Sequence, residues 1–321
     1  MRIAVTGASG RLGRAILAAL ADAPFTGISG PLAWSRPDYD LDDLGAAARL
    51  IARDQPEVIV HAAAWTDVDG CAREPEIAQR RNADAVARLA EAAAGSRTDL
   101  ILISTNEVFD GRRTDGLGYR QDDRPNPINA YGSSKLAGEA AAATAYAWTP
   151  DGASAHGSSP AGGPALAIIR TAWLYGPPGN DFPEKIARAA QRARAAGESL
   201  RVVGDETGSP TFTADLADAI VELIGCGERF AGIHHGVNGG AATRAAWARA
   251  ALAGLAIDVP IEEVPGSTWT RASTPPPWAV LEPTRMPSGE PLRPWTAALA
   301  DYLPALRRQL AVRPGVGAAV R

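Results

Sequence analysis

A strand-length apolar run, Ile3-Ala4-Val5-Thr6, leads straight into Gly7-Ala8-Ser9-Gly10-Arg11-Leu12-Gly13, after which apolar residues recur at helical spacing. A strand, a glycine turn and a helix N-terminus in so short a stretch commit the chain to an α/β fold more firmly than any other feature. The glycines answer separate demands: Gly7 permits the tight turn, Gly10 lets backbone approach a pyrophosphate, and Gly13 lets the helix pack on the strand. The open N–H groups and partial positive charge at the helix start suit an anion there. An ordinary glycine-rich βα turn is the alternative; the strand-to-helix context favours a dinucleotide site.

Downstream, strand-length hydrophobic runs alternate with alanine-rich stretches of helical period, the pattern of a doubly wound parallel (Rossmann) sheet with helices on both faces. Strands are expected at 3–6, 57–61, 100–104 and 165–171, with a second strand around 32–36, and helices at 12–21, 75–94 and 130–147. A length of 321 residues suits about two domains. The expected division is a dinucleotide-binding domain of 1–178 and 200–240 and a smaller C-terminal substrate-binding lobe of 179–199 and 241–312. Residues 149–164, rich in Gly, Ser, Pro and Ala, read as a flexible loop, and 313–321 as a disordered tail.

Hydrophobic residues at 46% can fill a sizeable core, and a net charge of −4 offers no electrostatic footprint for nucleic acid. Two cysteines, Cys71 and Cys226, and four scattered histidines give neither a disulfide framework nor a metal cluster, which fits a reducing cytoplasm. No apolar run approaches the ~20 residues that cross a bilayer. The glycine turn lies so near Met1 that no secretory leader is expected.

The second strand, Leu32-Ala33-Trp34-Ser35-Arg36, lacks the acid that would bond the ribose 2′-hydroxyl of NAD, whereas Ser35 and Arg36 can receive a 2′-phosphate. NADP(H) is therefore expected over NAD(H), with NAD(H) the alternative. Small residues Ala62, Ala63 and Ala64 close the third strand, where ligands of open α/β sheets bind. His61, ending an apolar strand, reads as a satisfied core residue.

Chemistry enters with Tyr131-Gly132-Ser133-Ser134-Lys135, whose four-residue spacing sets a phenol and an ammonium on one helix face. Thirty of the 32 basic residues are arginine, so a chance Tyr-x-x-x-Lys is expected only about 0.04 times on random placement. The ammonium is expected to favour the phenolate and ease proton transfer. Thr105 closes the preceding strand, where its hydroxyl can bond a carbonyl oxygen. Thr105 polarising, Tyr131 giving the proton, Lys135 tuning Tyr131 and holding the nicotinamide ribose, and a hydride from the cofactor amount to carbonyl reduction or its reverse.

Further motifs run in order along the chain: His61-Ala62-Ala63-Ala64-Trp65-Thr66-Asp67-Val68-Asp69, Glu74-Pro75-Glu76, Asn82, Ser104-Thr105-Asn106-Glu107-Val108-Phe109-Asp110-Gly111, Arg170-Thr171-Ala172-Trp173-Leu174-Tyr175-Gly176 and Gly208-Ser209-Pro210-Thr211. With the glycine turn and Tyr-x-x-x-Lys, the chain resembles the dTDP-4-dehydrorhamnose reductase family of extended short-chain dehydrogenases/reductases over almost its whole length. The resemblance implies that Thr105, Tyr131 and Lys135 are catalytic. Gly10, Arg11, Leu12, Asp40, Leu41, the 62–64 segment and Thr66 would line the cofactor, and Thr105, Asn106, Glu107 and Trp173 would meet a nucleotide sugar, dTDP-linked. It also leaves a homodimer open as the partner state.

Two departures stand out. Asn106 and Glu107 replace the family's Asp-Tyr, and Pro277-Trp278-Ala279-Val280-Leu281 replaces its usual Arg-Pro and small-residue stretch. Glu107 invites a sugar-nucleotide dehydratase reading, but the Asn106 amide has no acid proton for a departing hydroxyl; a sugar-nucleotide epimerase is a further alternative, which would have to retain NAD⁺ tightly through its cycle. A dinucleotide-binding regulatory subunit, similar to the β subunit of methionine adenosyltransferase, is the non-enzymatic alternative.

Overall fold

A computed structural model of the chain describes residues 1–150, 157–158, 163–227 and 231–312. Six parallel strands form the main sheet: β1 Ile3–Thr6, β2 Leu32–Trp34, β3 Val58–His61, β4 Asp99–Thr105, β5 Leu166–Thr171 and β6 Gly232–His235. Their spatial order is β6-β5-β4-β3-β1-β2. β1 pairs with β2 on one side (Ala4 opposite Leu32) and β3 on the other (Ile3 opposite Val58). The winding direction therefore reverses at β1, and a crevice opens beyond its carboxyl end.

Strands β1, β3 and β5 are buried along their whole length, because helices cover both faces of the sheet. Alternate side chains serve opposite layers. Ile3, Val5, Val60, Ile101 and Ile169 pack beneath Leu12, Ile16 and Leu20 of α1 (Arg11–Ala21) and Leu216, Ile220 and Leu223 of a later helix, Thr213–Gly225. Ala4, Ile59, Leu100, Leu102 and Ile168 face Leu50 of α2 (Ala46–Asp54), Val86 and Leu89 of α3 (Ala85–Gly95) and Ala142 of α4 (Ala130–Ala145).

Local differences from expectation have local causes. α2 was not anticipated. The helix expected over 75–94 is Pro75–Gln79, a π-helical turn at Arg80–Asp84, then α3. The π turn carries Asn82, whose side chain bonds Trp65 backbone N–H (2.8 Å) and carbonyl (3.0 Å) and the Ser134 hydroxyl (3.1 Å). α4 stops at Ala145 rather than 147, since Ala147 takes a left-handed φ of 48°. Within 149–164, Thr149–Pro150 pairs antiparallel with Gly157–Ser158; 151–156, 159–162 and the 313–321 tail lie outside the described residues.

The C-terminal part builds two cores of its own. Tyr175, Phe212, Trp247, Trp295 and Tyr302 form one; Ile186, Ala190, Leu200, Val202, Ala245 and Leu252 form the other. Leu200–Val203, grouped from sequence with the dinucleotide-binding segment, pairs with Ile261–Val264 and packs in the second of these cores. Its apolar run marks a strand but does not say which strand it joins. Thr207–Gly208, flanked by Ala242–Thr243 and Trp278–Ala279, forms a small sheet. The Trp278–Ala279 strand reaches the end of β4, where Asn106 Nδ2 donates to the Ala279 carbonyl at 3.0 Å.

Candidate active site

The turn after β1 is built as tightly as its glycines suggest. Gly7 has φ of 63°, and a Cβ on Gly13 would lie 2.2 Å from the Gly7 carbonyl oxygen. α1 begins on Gly10 with no side-chain cap, so no capping oxygen occupies the place of an anion. The Arg11 guanidinium spans to the carbonyls of Leu174 (3.3 Å) and Gly179 (2.8 Å), while its buried Nε has no hydrogen-bond partner. Thr6 Oγ1 bonds His61 Nδ1 at 2.9 Å and accepts from Ala63 N at 3.1 Å, tying the ends of β1 and β3 together. His61 is fully buried, its pKa pushed down to about 3 by burial and by the charge of Lys135, so it stays a neutral core residue.

One cleft of about 640 Å³ opens above these ends. The glycine turn lines it through Gly7, Gly10, Arg11, Leu12 and Gly13; Ala62, Ala63, Ala64 and Thr66 form the floor. Arg36, Asp40 and Leu41 lie on the β2 side. On the opposite side stand Thr105, Asn106, Glu107, Tyr131, Lys135 and Trp173. The structure thus gathers the sequence-derived candidates around a single space.

Thr105 is the last residue of β4, and its Oγ1 accepts from Glu107 N at 3.2 Å. α4 starts one residue before Tyr131 because Asn129 caps it, Oδ1 accepting from Gly132 N at 2.8 Å. Tyr131 is 9% exposed, and its phenol lies near the Thr105 hydroxyl at the end of β4. Burial, then the negative charge of Glu107, pushes the phenol pKa up; the nearby Thr105 hydroxyl opposes them. This corrects the expectation that Lys135 draws the phenol toward phenolate. The Lys135 ammonium instead donates to the Ile103 carbonyl at 2.8 Å, and burial pulls its own pKa down to about 8 against the opposing charge of Glu139.

Several residues of this neighbourhood were not anticipated. Glu139, one turn beyond Lys135, is buried, accepts from Ser104 Oγ and pairs with buried Arg170 at 2.7 Å. Its spacing from Lys135 is visible in the sequence; its Arg170 partner on β5 is not. Asn129 is signalled only by its cap position ahead of the helix. Trp173 has a left-handed φ of 42°, stacks on Trp247 and carries the Arg244 guanidinium 3.6 Å above its ring centre. Near β2, Arg81 pairs with Asp42 at 2.6 Å and covers Trp65, both beside Arg36 in the cleft. Asn106 is placed differently from expectation in one respect: its amide nitrogen is engaged by Ala279. Among the described residues, no His, Cys, Asp and Glu group is placed to hold a metal, and no helix is long and apolar enough to cross a membrane.

Residues 1–308 match the sequence family described as the RmlD substrate binding domain. A dTDP-4-dehydrorhamnose reductase from Mycolicibacterium smegmatis is 36% identical over 310 residues, 95% of this chain and 86% of the relative. One from Streptomyces griseus is 35% identical over 308 residues, 94% and 93% of the two chains. A crystal structure of the dTDP-4-dehydrorhamnose reductase from Bacillus anthracis in complex with NADP is similar with a TM-score of 0.79 and 26% identity, over 94% of this chain and 98% of that one.

Proposed function

Because the chain belongs to the RmlD substrate binding domain family, we propose that it reduces the keto group of a dTDP-linked 4-keto-6-deoxysugar in a nicotinamide-dinucleotide-dependent reaction. The observation that carries this reading is that Thr105, Tyr131 and Lys135 line the same cleft as the glycine turn. That turn fits a dinucleotide: Gly7 and Gly13 leave no room for side chains, α1 starts without a capping side chain, and a buried Arg11 Nε lies beside it without a partner.

When bound, the dinucleotide supplies the hydride that reaches the carbonyl carbon. The chain does the rest. Thr105 bonds the keto oxygen and fixes its position. Tyr131, whose burial keeps the phenol protonated at neutral pH, gives that oxygen its proton. Lys135, cationic below about pH 8, holds the nicotinamide ribose together with Tyr131. Gly7, Gly10, Arg11, Leu12 and Gly13 would hold the pyrophosphate, and Ala62, Ala63, Ala64, Thr66, Asp40 and Leu41 the adenosine side. Asn106, Glu107 and Trp173 form the sugar wall.

The substrate within this class is dTDP-4-dehydrorhamnose, giving dTDP-L-rhamnose, or a close analogue. NADP(H) is preferred over NAD(H): β2 ends without an acid, and Arg36 lines the cleft beside Arg81. NADPH oxidation with a panel of 4-keto sugar nucleotides tests the reading. Consumption with a dTDP-linked ketone supports it; silence across the panel with tight dinucleotide binding supports a binding-only subunit instead.

A further inference from the structure

Reduction by Thr105, Tyr131 and Lys135 leaves Glu107 without a step. Glu107 sits two residues past Thr105, on the single turn that follows β4, and lines the same cleft. It is held close to Tyr131 by two separate devices. The catalytic helix packs so tightly on this turn that a Cβ on Gly132 would lie 2.0 Å from the Glu107 carbonyl oxygen. Asn129 then joins the parts: its Oδ1 caps the helix, while its Nδ2 donates to Glu107 Oε2 at 2.7 Å and to the Thr274 carbonyl at 3.2 Å. The hydrogen-bond partner of the carboxylate is thus a neutral amide, which orients it; that bond and the charge of Arg244 both lower its proton affinity. Burial is the larger influence and raises its proton affinity on balance, and after burial itself the charge of Glu107 is the main influence raising the phenol pKa of Tyr131. A carboxylate base beside a protonated phenol that bonds a ketone oxygen is the acid–base pairing that enolises ketones.

We propose that Glu107 removes a proton from a carbon next to the keto carbon while Thr105 and Tyr131 hold the keto oxygen, giving the protein an enolisation activity beside reduction. The inference rests on the reductase reading, because it takes the same ketone in the same cleft. The C–H bond breaks and its proton goes to the Glu107 carboxylate. The electron pair becomes a C=C bond as the C=O π pair moves to oxygen, which takes the Tyr131 proton. Reversal returns both protons, so nothing is oxidised or reduced and no co-reactant is needed. Glu107 is only partly buried, so the proton it carries exchanges with solvent.

The test uses the full chain with NADP⁺, which has no hydride to give, and dTDP-4-keto-6-deoxyglucose in D₂O, followed by mass spectrometry and proton NMR. The expected result is deuterium at a carbon beside the ketone well above a protein-free control, with Glu107→Gln lowering the rate by roughly 10²-fold or more. Glu107→Asp, which keeps the carboxylate, should exchange faster than Glu107→Gln. No exchange above the control in the unaltered protein, or Glu107→Gln exchanging like it, overturns the proposal; the first of these needs no variant to fold. NADPH oxidation of the same ketone is measured in parallel. Reduction without exchange overturns enolisation and leaves the reductase reading standing, whereas absence of both overturns the two together.

Discussion

Replacing Lys135 with methionine should make the dinucleotide-free protein more stable while removing its turnover. Lys135 is 4% exposed, and its pKa falls from an ordinary 10.5 to about 8, with burial the leading cause and Glu139 opposing it. At about 1.4 kcal/mol per pH unit, holding that charge in the fold costs about 3 kcal/mol. Methionine fills similar volume without charge, but leaves the Ile103 carbonyl without its donor, a loss of roughly 1–2 kcal/mol. The variant should therefore gain roughly 1–2 kcal/mol at pH 7. The sign of the pH dependence follows from the folded value lying below the unfolded one. Between about pH 8 and 10.5 the unfolded chain keeps a proton that the folded chain has shed, so stability of the unaltered protein rises with pH across that window. The penalty is full below pH 8 and gone above 10.5. Urea denaturation at pH 7, 9 and 10 reads this directly: the advantage of Lys135→Met is expected to be largest at pH 7 and to shrink as pH rises. A variant less stable than the parent at pH 7, or a difference that does not change with pH, would refute the reasoning.

Gly13→Ala sets a methyl 2.2 Å from the Gly7 carbonyl oxygen, so α1 must shift; dinucleotide affinity measured by fluorescence should fall at least about tenfold, and parental affinity would show that this packing is not needed. Arg36→Ala should raise the KM for NADPH by about tenfold, the equivalent of roughly 1.4 kcal/mol, and leave that for NADH nearly unchanged; equal effects on both cofactors would remove Arg36 from 2′-phosphate recognition. Glu139→Gln removes the charge that holds the Lys135 pKa up. The alkaline fall in turnover, expected through about pH 8 in the parent, should move to lower pH, and the unpaired buried Arg170 should destabilise the fold by about 3–5 kcal/mol; an unmoved pH profile would confine Glu139 to a structural role.

What the sequence makes legible is what depends on neighbours along the chain. The glycine turn, the uninterrupted buried strands, and the Tyr131 and Lys135 spacing all report local geometry, and all reappear around one cleft. Electrostatics do not follow from spacing. Two side chains one helical turn apart suggest that Lys135 acts on Tyr131, yet burial dominates both groups and the ammonium bonds backward to Ile103 on β4. Contacts between distant segments are equally hidden: Arg170 meets Glu139 across 31 positions, and Asn106 reaches Ala279 across 173. The π-helical turn at Arg80–Asp84 interrupts what reads as one alanine-rich helix, where Asn82 bonds both the Trp65 backbone and Ser134. Leu200–Val203 is readable as a strand, but its pairing with Ile261–Val264 is a matter of tertiary packing.

The most direct test of the chemistry is the turnover of Tyr131→Phe with NADPH and dTDP-4-dehydrorhamnose, set beside the dinucleotide affinity of the same variant. If the phenol delivers the proton to the keto oxygen, NADPH oxidation should drop by roughly 10²–10⁴-fold while dinucleotide binding stays near the parental value. Turnover at the parental rate in that variant would contradict the assignment.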